Sequence, residues 1–341
     1  MVLTNTACRL AHRPTGMPTA DNWALTTAPV AAPDDGQFLV KTDYLSIDPA
    51  MRTWMDAGDS YVPAVEIGAI MRAMGIGTVV ASRHDRFAAG DVVSGLFGVQ
   101  QYAVSNGAGV HKVDTAIAPV TTHLSALGIS GLTAYFGLLD VGRPQPGQTV
   151  LVSAAAGAVG SLVGQIARIH GCRSIGIAGG ERKCRWLVDE LGFDAAIDYK
   201  NADLDTELKN LVPQGVDIFF DNVGGNTLEV ALDHLARGAR VVLSGAVSQY
   251  NEAAHGPANY MQLLVARASM TGFVIFDYAK RYPEAVAQLA KWLHAGELRH
   301  HEDIRHGNIS DFPDTLLKLF RGDNTGKLIL AVNNEPPDAN G

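Results

Sequence analysis

The sequence predicts an α/β fold in which a doubly wound parallel sheet is joined to a second, mainly β domain. Three observations carry this. From about residue 149, short β-branched runs alternate with amphipathic stretches, the pattern of parallel strands linked by crossover helices. One of those runs passes through a small-residue turn straight into a helix. The first 120 or so residues instead hold short strands set apart by Gly, Pro and Asp turns, which suits a partly antiparallel, barrel-like domain.

The elements follow in order. QFLVKTDYLSI (37–47), IGTVVASR (76–83), DVVSGLFG (91–98) and QYAVS (101–105) are the strands of the first domain. TVLVS (149–153), SIGIA (174–178), AAIDY (195–199), VDIFFD (216–221), RVVLSG (240–245) and MTGFVIF (270–276) are the parallel strands. Their nearly continuous apolar character fits a sheet covered on both faces. Helical periodicity appears over 160–170, 181–191 and 226–236. PEAVAQLAKWLHAG (283–296) reads as a helix, followed by an extended stretch, a helix near 312–320 and a final strand GKLILAV (326–332). The last 45 or so residues return to complete the first domain, giving expected boundaries of 1–124, 125–296 and 297–341. The tail NNEPPDANG is expected to be disordered.

Length and composition agree. A chain of 341 residues exceeds the usual size of a single hydrophobic core, so two domains are the natural division. No uncharged apolar run approaches the roughly 18 residues that cross a bilayer. The N-terminus lacks the apolar stretch of a secretory signal, which makes the cytoplasm the default location. The three cysteines, Cys8, Cys172 and Cys184, suggest a reducing compartment without a disulfide framework. A net charge of −8 disfavours a nucleic-acid partner, because backbone phosphates would meet a repelling field.

The sharpest local signal is TVLVSAAAGAVGSLVGQIARIHG (149–171), a strand, a small-residue turn and a helix. In the dinucleotide fingerprint G-x-G-x-x-G, the central glycine lets backbone approach a pyrophosphate and the last lets helix pack on strand. Those positions are Gly157 and Gly160, with Ala155 where the first glycine would stand. A pyrophosphate would rest on the helix N-terminus, against free N–H groups and the dipole. Tight strand–helix packing alone is the competing explanation of these small residues.

An NAD site places an Asp or Glu at the end of the second strand for the ribose 2′-hydroxyl. Here that strand ends in Ala178-Gly179-Gly180, and Glu181 is followed by Arg182 and Lys183. Cations beside a pocket without a carboxylate favour a 2′-phosphate, so NADPH is preferred to NADH. Lys183 is the first choice for that contact and Tyr199 the second. The bland alternatives are a solvated helix face for one and a half-buried strand-end tyrosine for the other.

Several chemistries lack their residues. A structural zinc needs four closely spaced cysteines and a catalytic one needs a thiolate or imidazole set; VEIGAIM (65–71) has no His-Glu pair, and His300, His301 and His306 read as surface histidines. No metal site is expected. No tyrosine has a lysine four positions on, and GDNTGKL (322–328) is one residue short of a P-loop.

With these residues in view, the chain resembles the zinc-free medium-chain reductases that include prostaglandin reductase, plant alkenal double-bond reductases and bacterial curcumin reductases. The resemblance spans nearly the whole chain. It rests on YLSIDPAMR (44–52), YVPAVEIG (61–68), GISGLTAYFGL (128–138), SAAAGAVGSLVGQIA (153–167), KCRWLVDELGFDAAIDYK (183–200), FDNVGGNTLE (220–229), SGAVSQYN (244–251) and LFRGDNTGKL (319–328). It implies a GroES-like substrate domain, a Rossmann domain, NADP as cofactor and reduction of the double bond of α,β-unsaturated carbonyl compounds. By matching motif it implies cofactor contacts at Gly157, Ala158, Val159 and Gly160 for the pyrophosphate, and at Lys183 and Tyr199 for the adenosine phosphate. Asn222 is a further contact, and Ser244, Gly245, Ala246, Tyr250, Phe273, Val274, Ile275 and Asn324 surround the nicotinamide half. Arg52 is retained and is expected to face cofactor phosphate. One departure stands out: the family often reads DPYMR, whereas this chain has Ala50, which predicts a larger or differently selective pocket. By resemblance alone, pairing of Rossmann edge strands implies a homodimer.

Hydride delivery to the β-carbon of an enone leaves an enolate, so such a site needs a donor at the carbonyl oxygen and a proton for the α-carbon. A phenol is a suitable neutral donor. Tyr250, just past a strand's carboxyl end, stands where open α/β sheets bind ligands, and Tyr61 of the other domain is the second candidate. Packing or cofactor positioning is the alternative job for each. Two other functions stay open: a quinone reductase on the same zinc-free scaffold, and a noncatalytic NADPH-binding protein. The expected partners are therefore an enone, enal or quinone, with neither nucleic acid nor membrane.

Overall fold

The computed structural model describes residues 3–58, 60–253 and 255–332, so the tail NNEPPDANG lies outside the described residues. Its contacts gather into two units, Met1–Leu124 with Glu302–Gly341, and Ser125–His301.

The second unit is built on six parallel strands: β1 (Thr149–Val152), β2 (Arg173–Ala178), β3 (Ala195–Asp198), β4 (Val216–Asp221), β5 (Leu235–Leu243) and β6 (Ser269–Gly272). Their order across the sheet is 3-2-1-4-5-6, every pair parallel. This is the Rossmann order, and it reverses between β1 and β4, the switch point at whose carboxyl strand ends open α/β sheets bind ligands. Helices α1 (Ile129–Phe136), α2 (Gly160–Ile169), α3 (Glu181–Arg185), α4 (Leu204–Leu211), α5 (Gly225–Leu232), α6 (Gln262–Ala266) and α7 (Tyr282–His294) accompany the sheet. Leu151, Ile175, Phe219 and Val241 of the strands pack with Leu208, Leu228 and Leu232 of α4 and α5 into one buried core. Each such side chain stabilises by about 1.5–3 kcal/mol. α2 can lie close because Gly164 faces Phe193: a Cβ there would stand 2.0 Å from the ring.

Three sequence expectations need correction. The strand expected over 270–276 stops at Gly272 and gives way to a 3₁₀ turn, Ile275–Arg281. Phe273 turns its ring onto Gly137 and Phe220 instead of continuing an edge strand. The helix expected over 226–236 ends at Leu232, because Leu235 already pairs with Val216 in the sheet. The helix expected over 181–191 is α for only its first part and widens into a π turn over Trp186–Glu190.

In the first unit, a seven-stranded sheet runs in the order Glu302–Gly307, Lys327–Val332, Phe38–Ser46, Met74–Ser82, Val92–Leu96 and His111–Lys112, with Tyr102–Ser105 paired to Phe38–Ser46. All pairs are antiparallel except the first. This is the mixed, largely antiparallel GroES-like domain. A separate ribbon, Thr4–Leu10 with Trp23–Pro29, stands beside it and escaped the sequence reading. Leu45, Ile47, Met51, Met71, Phe312 and Leu330 form its main core.

Candidate cofactor and active site

The site in the second unit begins where β1 ends. Ser153 follows the strand, and Ala154 adopts a left-handed conformation at φ 46°. That bend costs an L-residue about 1–2 kcal/mol. It turns the Ala154 carbonyl toward the start of α2, where a Cβ on Gly160 would fall 2.5 Å from that oxygen and 2.8 Å from the Ala155 Cα. Gly160 is thus required by close approach of backbone. Gly157 donates its N–H to Ala154 O at 2.9 Å, and Ala158 and Val159 are half-buried. Ala155, in place of the first glycine of the fingerprint, is buried against β2, where Gly176 makes room: a Cβ there would be 2.8 Å from that of Ala155. The missing glycine is compensated on the neighbouring strand.

β2 delivers the second turn. Gly180, at φ 96°, precedes α3, and its N–H donates to the Asp198 carboxylate at 2.7 Å. Burial pushes the Asp198 carboxyl up, but donations from Asn201, Gly180 and Lys200 outweigh it and hold it below the usual value. The Tyr199 hydroxyl lies 3.1 Å and Lys200 Cε 2.9 Å from where a Gly179 Cβ would be. Tyr199 is exposed and Lys183 half-buried. The turn therefore brings Tyr199 and Lys200 against Gly179, while Lys183 stands in the first turn of α3 with its backbone N–H on Gly180 O at 3.1 Å. Beside it the Cys184 thiol is pushed up to about 11 by burial and by Asp198, so it stays protonated at neutral pH and offers no thiolate.

The third strand end is a knot. The Ser153 hydroxyl donates to Asp221 Oδ1 at 2.7 Å and accepts from the Asn222 N–H at 2.8 Å. Asn222 Nδ2 donates to the Ser153 carbonyl at 2.8 Å. Asp221 is fully buried, and burial raises its pKa against the lowering effect of the Val223, Ser153 and Gly224 donors. Its backbone carbonyl accepts from Ser244 and Gly245 at 2.8 and 3.2 Å. Next along, the Ala246 N–H donates to the Tyr250 hydroxyl at 3.3 Å. Asn222, Ser244, Gly245, Ala246 and Tyr250 are thus brought together. Val274 is half-buried and Ile275 buried near the end of β6, and the Phe273 ring is committed to packing. Asp221, Ser153 and Asp198 were missed by the sequence reading. An acid closing the apolar run VDIFFD is the one signal that marks Asp221 in the sequence.

Three candidates belong to the other unit. Arg52 is 4% exposed; its guanidinium donates to Gly16 O at 3.0 Å, Pro14 O at 3.4 Å and Asp56 at 2.6 Å. Asn324 is buried and donates to Gly326 O at 2.9 Å. Tyr61 is exposed. Ala50 opens the short helix Ala50–Thr53, packed on the core.

The glycine turns fit a dinucleotide: backbone occupies the space a side chain would fill at Gly160, and Tyr199 and Lys200 stand over Gly179 at the second turn. Among the described residues no three His, Cys, Asp or Glu side chains form a metal-binding group, and no helix is long and apolar enough to cross a membrane.

Comparison with known proteins agrees. A family model described as the N-terminal domain of oxidoreductase matches residues 6–113, and one described as zinc-binding dehydrogenase matches 158–292. NADPH-dependent curcumin reductase of Escherichia coli is 39% identical, covering 95% of this chain and 95% of that protein. Prostaglandin reductase 1 of Bos taurus is 36% identical over 92% and 95%. The crystal structure of CurA from Vibrio vulnificus in complex with NADPH superposes with a TM-score of 0.91 at 40% identity, covering 97% of this chain and 100% of that one. The chain belongs to the zinc-independent medium-chain dehydrogenase/reductases, in the branch of the curcumin and prostaglandin reductases.

Proposed function

We infer that this protein is an NADPH-dependent reductase of the carbon–carbon double bond of α,β-unsaturated ketones and aldehydes. The observation that carries the reading is the end of β2: two glycines and no acid of its own, with Tyr199 and Lys200 against Gly179 and Lys183 in the first turn of α3. A 2′-phosphate, bearing charge and strong acceptors, fits there better than a ribose hydroxyl. The names of the relatives, curcumin reductase and prostaglandin reductase, support the same class of reaction.

When bound, NADPH supplies the hydride. The chain's own residues bind and orient. The amides opening α2, with Gly157, Ala158, Val159 and Gly160, take the pyrophosphate; Lys183 and Tyr199 take the 2′-phosphate. Asn222, Ser244, Gly245, Ala246, Val274, Ile275 and the backbone at Phe273 line the nicotinamide half. As negative charge builds on the carbonyl oxygen, the Tyr250 hydroxyl stabilises it as a neutral donor, and Tyr61 is the second candidate. Substrate binding falls to the GroES-like unit, 1–124 with the return segment, and Ala50 enlarges the pocket there.

The active species is a homodimer in the cytoplasm. β6 ends the sheet with an unpaired edge among the described residues, and Tyr260, Met261, Leu264 and Val265, in and just before the helix α6 that precedes it in sequence, are 59, 51, 68 and 63% exposed. A second copy of this chain would extend the sheet and cover that patch; sedimentation tests it. The function is tested by following NADPH oxidation with an alkenal, a cyclic enone and a benzoquinone. Turnover of the first two is expected. Preference for the quinone would make it a quinone reductase, and tight NADPH binding without turnover would make it noncatalytic.

A further inference from the structure

We propose that Ser153 and Asp221 are a positioning pair that sets Asn222 and the 244–250 loop in the geometry that receives the cofactor, an inference that rests on the NADPH reading above. Neither residue is expected to touch the cofactor. Both are completely buried, and both stand where the strand order reverses, Ser153 after β1 and Asp221 at the end of β4.

The geometry is closed on itself. Asp221 Oδ1 accepts from Ser153 Oγ at 2.7 Å, from Val223 N at 3.0 Å and from Gly224 N at 3.1 Å, and Oδ2 accepts from Gly224 N at 3.1 Å. Those amides lead into α5, so the carboxylate fixes where that helix starts. Ser153 holds Asn222 twice, through the backbone N–H and through Nδ2. The Asp221 carbonyl fixes Ser244 and Gly245, and the Asn222 and Val223 carbonyls accept from Val247 and Ser248 at 3.1 and 3.2 Å. One buried pair thus ties together the carboxyl ends of three neighbouring strands, β1, β4 and β5. Burying a carboxylate costs free energy that an apolar residue would not. What it supplies here is direction: hydrogen bonds fix the orientation of Asn222, whereas apolar packing fixes only its volume. The Ser153 hydroxyl is the hinge of the arrangement, because it donates to one side and accepts from the other.

The test compares Ser153→Ala, Asp221→Asn and Asn222→Ala in the full-length protein, with NADPH as the probe. Calorimetry gives the dissociation constant, steady-state kinetics give KM and kcat, and a thermal melt gives the folded fraction. Asn222→Ala tests the Asn222 contact, and the wild-type titration tests the cofactor reading itself. Ser153→Ala is expected to raise the NADPH dissociation constant and KM roughly tenfold, the size of one lost hydrogen-bonding group. Its kcat at saturating NADPH should change less than KM, and its melting temperature by less than about 5 °C. Asp221→Asn keeps the shape but sets an amide against the Gly224 N–H, and should move KM the same way; if it does not fold, Ser153→Ala decides alone. Weakened binding in Asn222→Ala with unchanged binding in Ser153→Ala overturns the positioning role and leaves the cofactor reading standing. Unchanged binding in Asn222→Ala removes Asn222 from the cofactor site and this inference with it, whereas wild-type protein that binds no NADPH removes the cofactor reading itself. A Ser153→Ala protein that loses binding only as far as it loses folded material has a structural serine, which also overturns the proposal.

Discussion

The hydroxyl of Tyr250 accepts a hydrogen bond from the Ala246 N–H at 3.3 Å, which folds the phenol back over the loop that follows β5. A Cβ on Gly245 would stand only 3.0 Å from that hydroxyl, so glycine at this position lets the ring lie there. In this bond the phenol is an acceptor. Tyr250→Phe keeps the ring and removes the donor. It is expected to lower kcat roughly 100-fold, the scale of one lost oxyanion donor, while NADPH affinity changes little. Unchanged kcat in stopped-flow or steady-state assays would remove Tyr250 from the chemistry.

Cofactor choice is a separate matter, which the proposed function assigns to the Gly179–Gly180 turn. Lys183→Ala removes a cation from the 2′-phosphate. The KM for NADPH is expected to rise roughly 10–100-fold, the worth of a charge-assisted contact, with the KM for NADH nearly unchanged. Equal losses for both coenzymes would show that Lys183 supports the fold or the shared part of the dinucleotide.

Lys327 is 2% exposed and donates to Asp48 at 2.6 Å and to the Ile47 carbonyl at 2.9 Å. It thereby anchors the last strand to the segment that leads into Ala50–Thr53. Lys327→Ala leaves a cavity and a half-satisfied carboxylate, and is expected to destabilise by roughly 2–4 kcal/mol. A thermal melt of the GroES-like unit within the whole protein should register this as a drop of several degrees. No shift would mean that Asp48 and the Ile47 carbonyl find water instead.

Burial pushes the Asp221 carboxyl above its ordinary value. The folded protein then holds that proton more tightly than the unfolded chain does. The contribution is present in full below the unfolded value and is lost as pH rises through the folded one. Asp221→Asn has no such dependence. From about pH 4 toward neutrality, the wild-type melting temperature should therefore fall relative to that of Asp221→Asn. Parallel curves for the two proteins would contradict this sign.

Much of the architecture was legible because it rests on local pattern. VDIFFD occupies the whole of β4, and the strand–turn–helix at 149–160 is as the fingerprint requires. Legibility failed where distant packing decides. Phe273 leaves the edge strand because Gly137, far back in the chain, gives its ring a place. The ribbon of Thr4–Leu10 and Trp23–Pro29 has only a weak alternation, its second strand being largely exposed. In the proposed site, the glycines and Lys183 are the residues that the sequence marks by type and spacing. The Ser153–Asp221 pair is 68 residues apart in sequence, and no motif connects the two. Asp198 reaches Gly180 across neighbouring strands, a relation set by sheet order alone.

The most direct test of the central claim is the position of the label after reaction of an enone with NADPH deuterated at the transferred hydrogen, read by NMR of the product. A saturated ketone with deuterium on the β-carbon is the predicted result. Deuterium on the carbonyl carbon of an unsaturated alcohol would mean carbonyl reduction, and would contradict it.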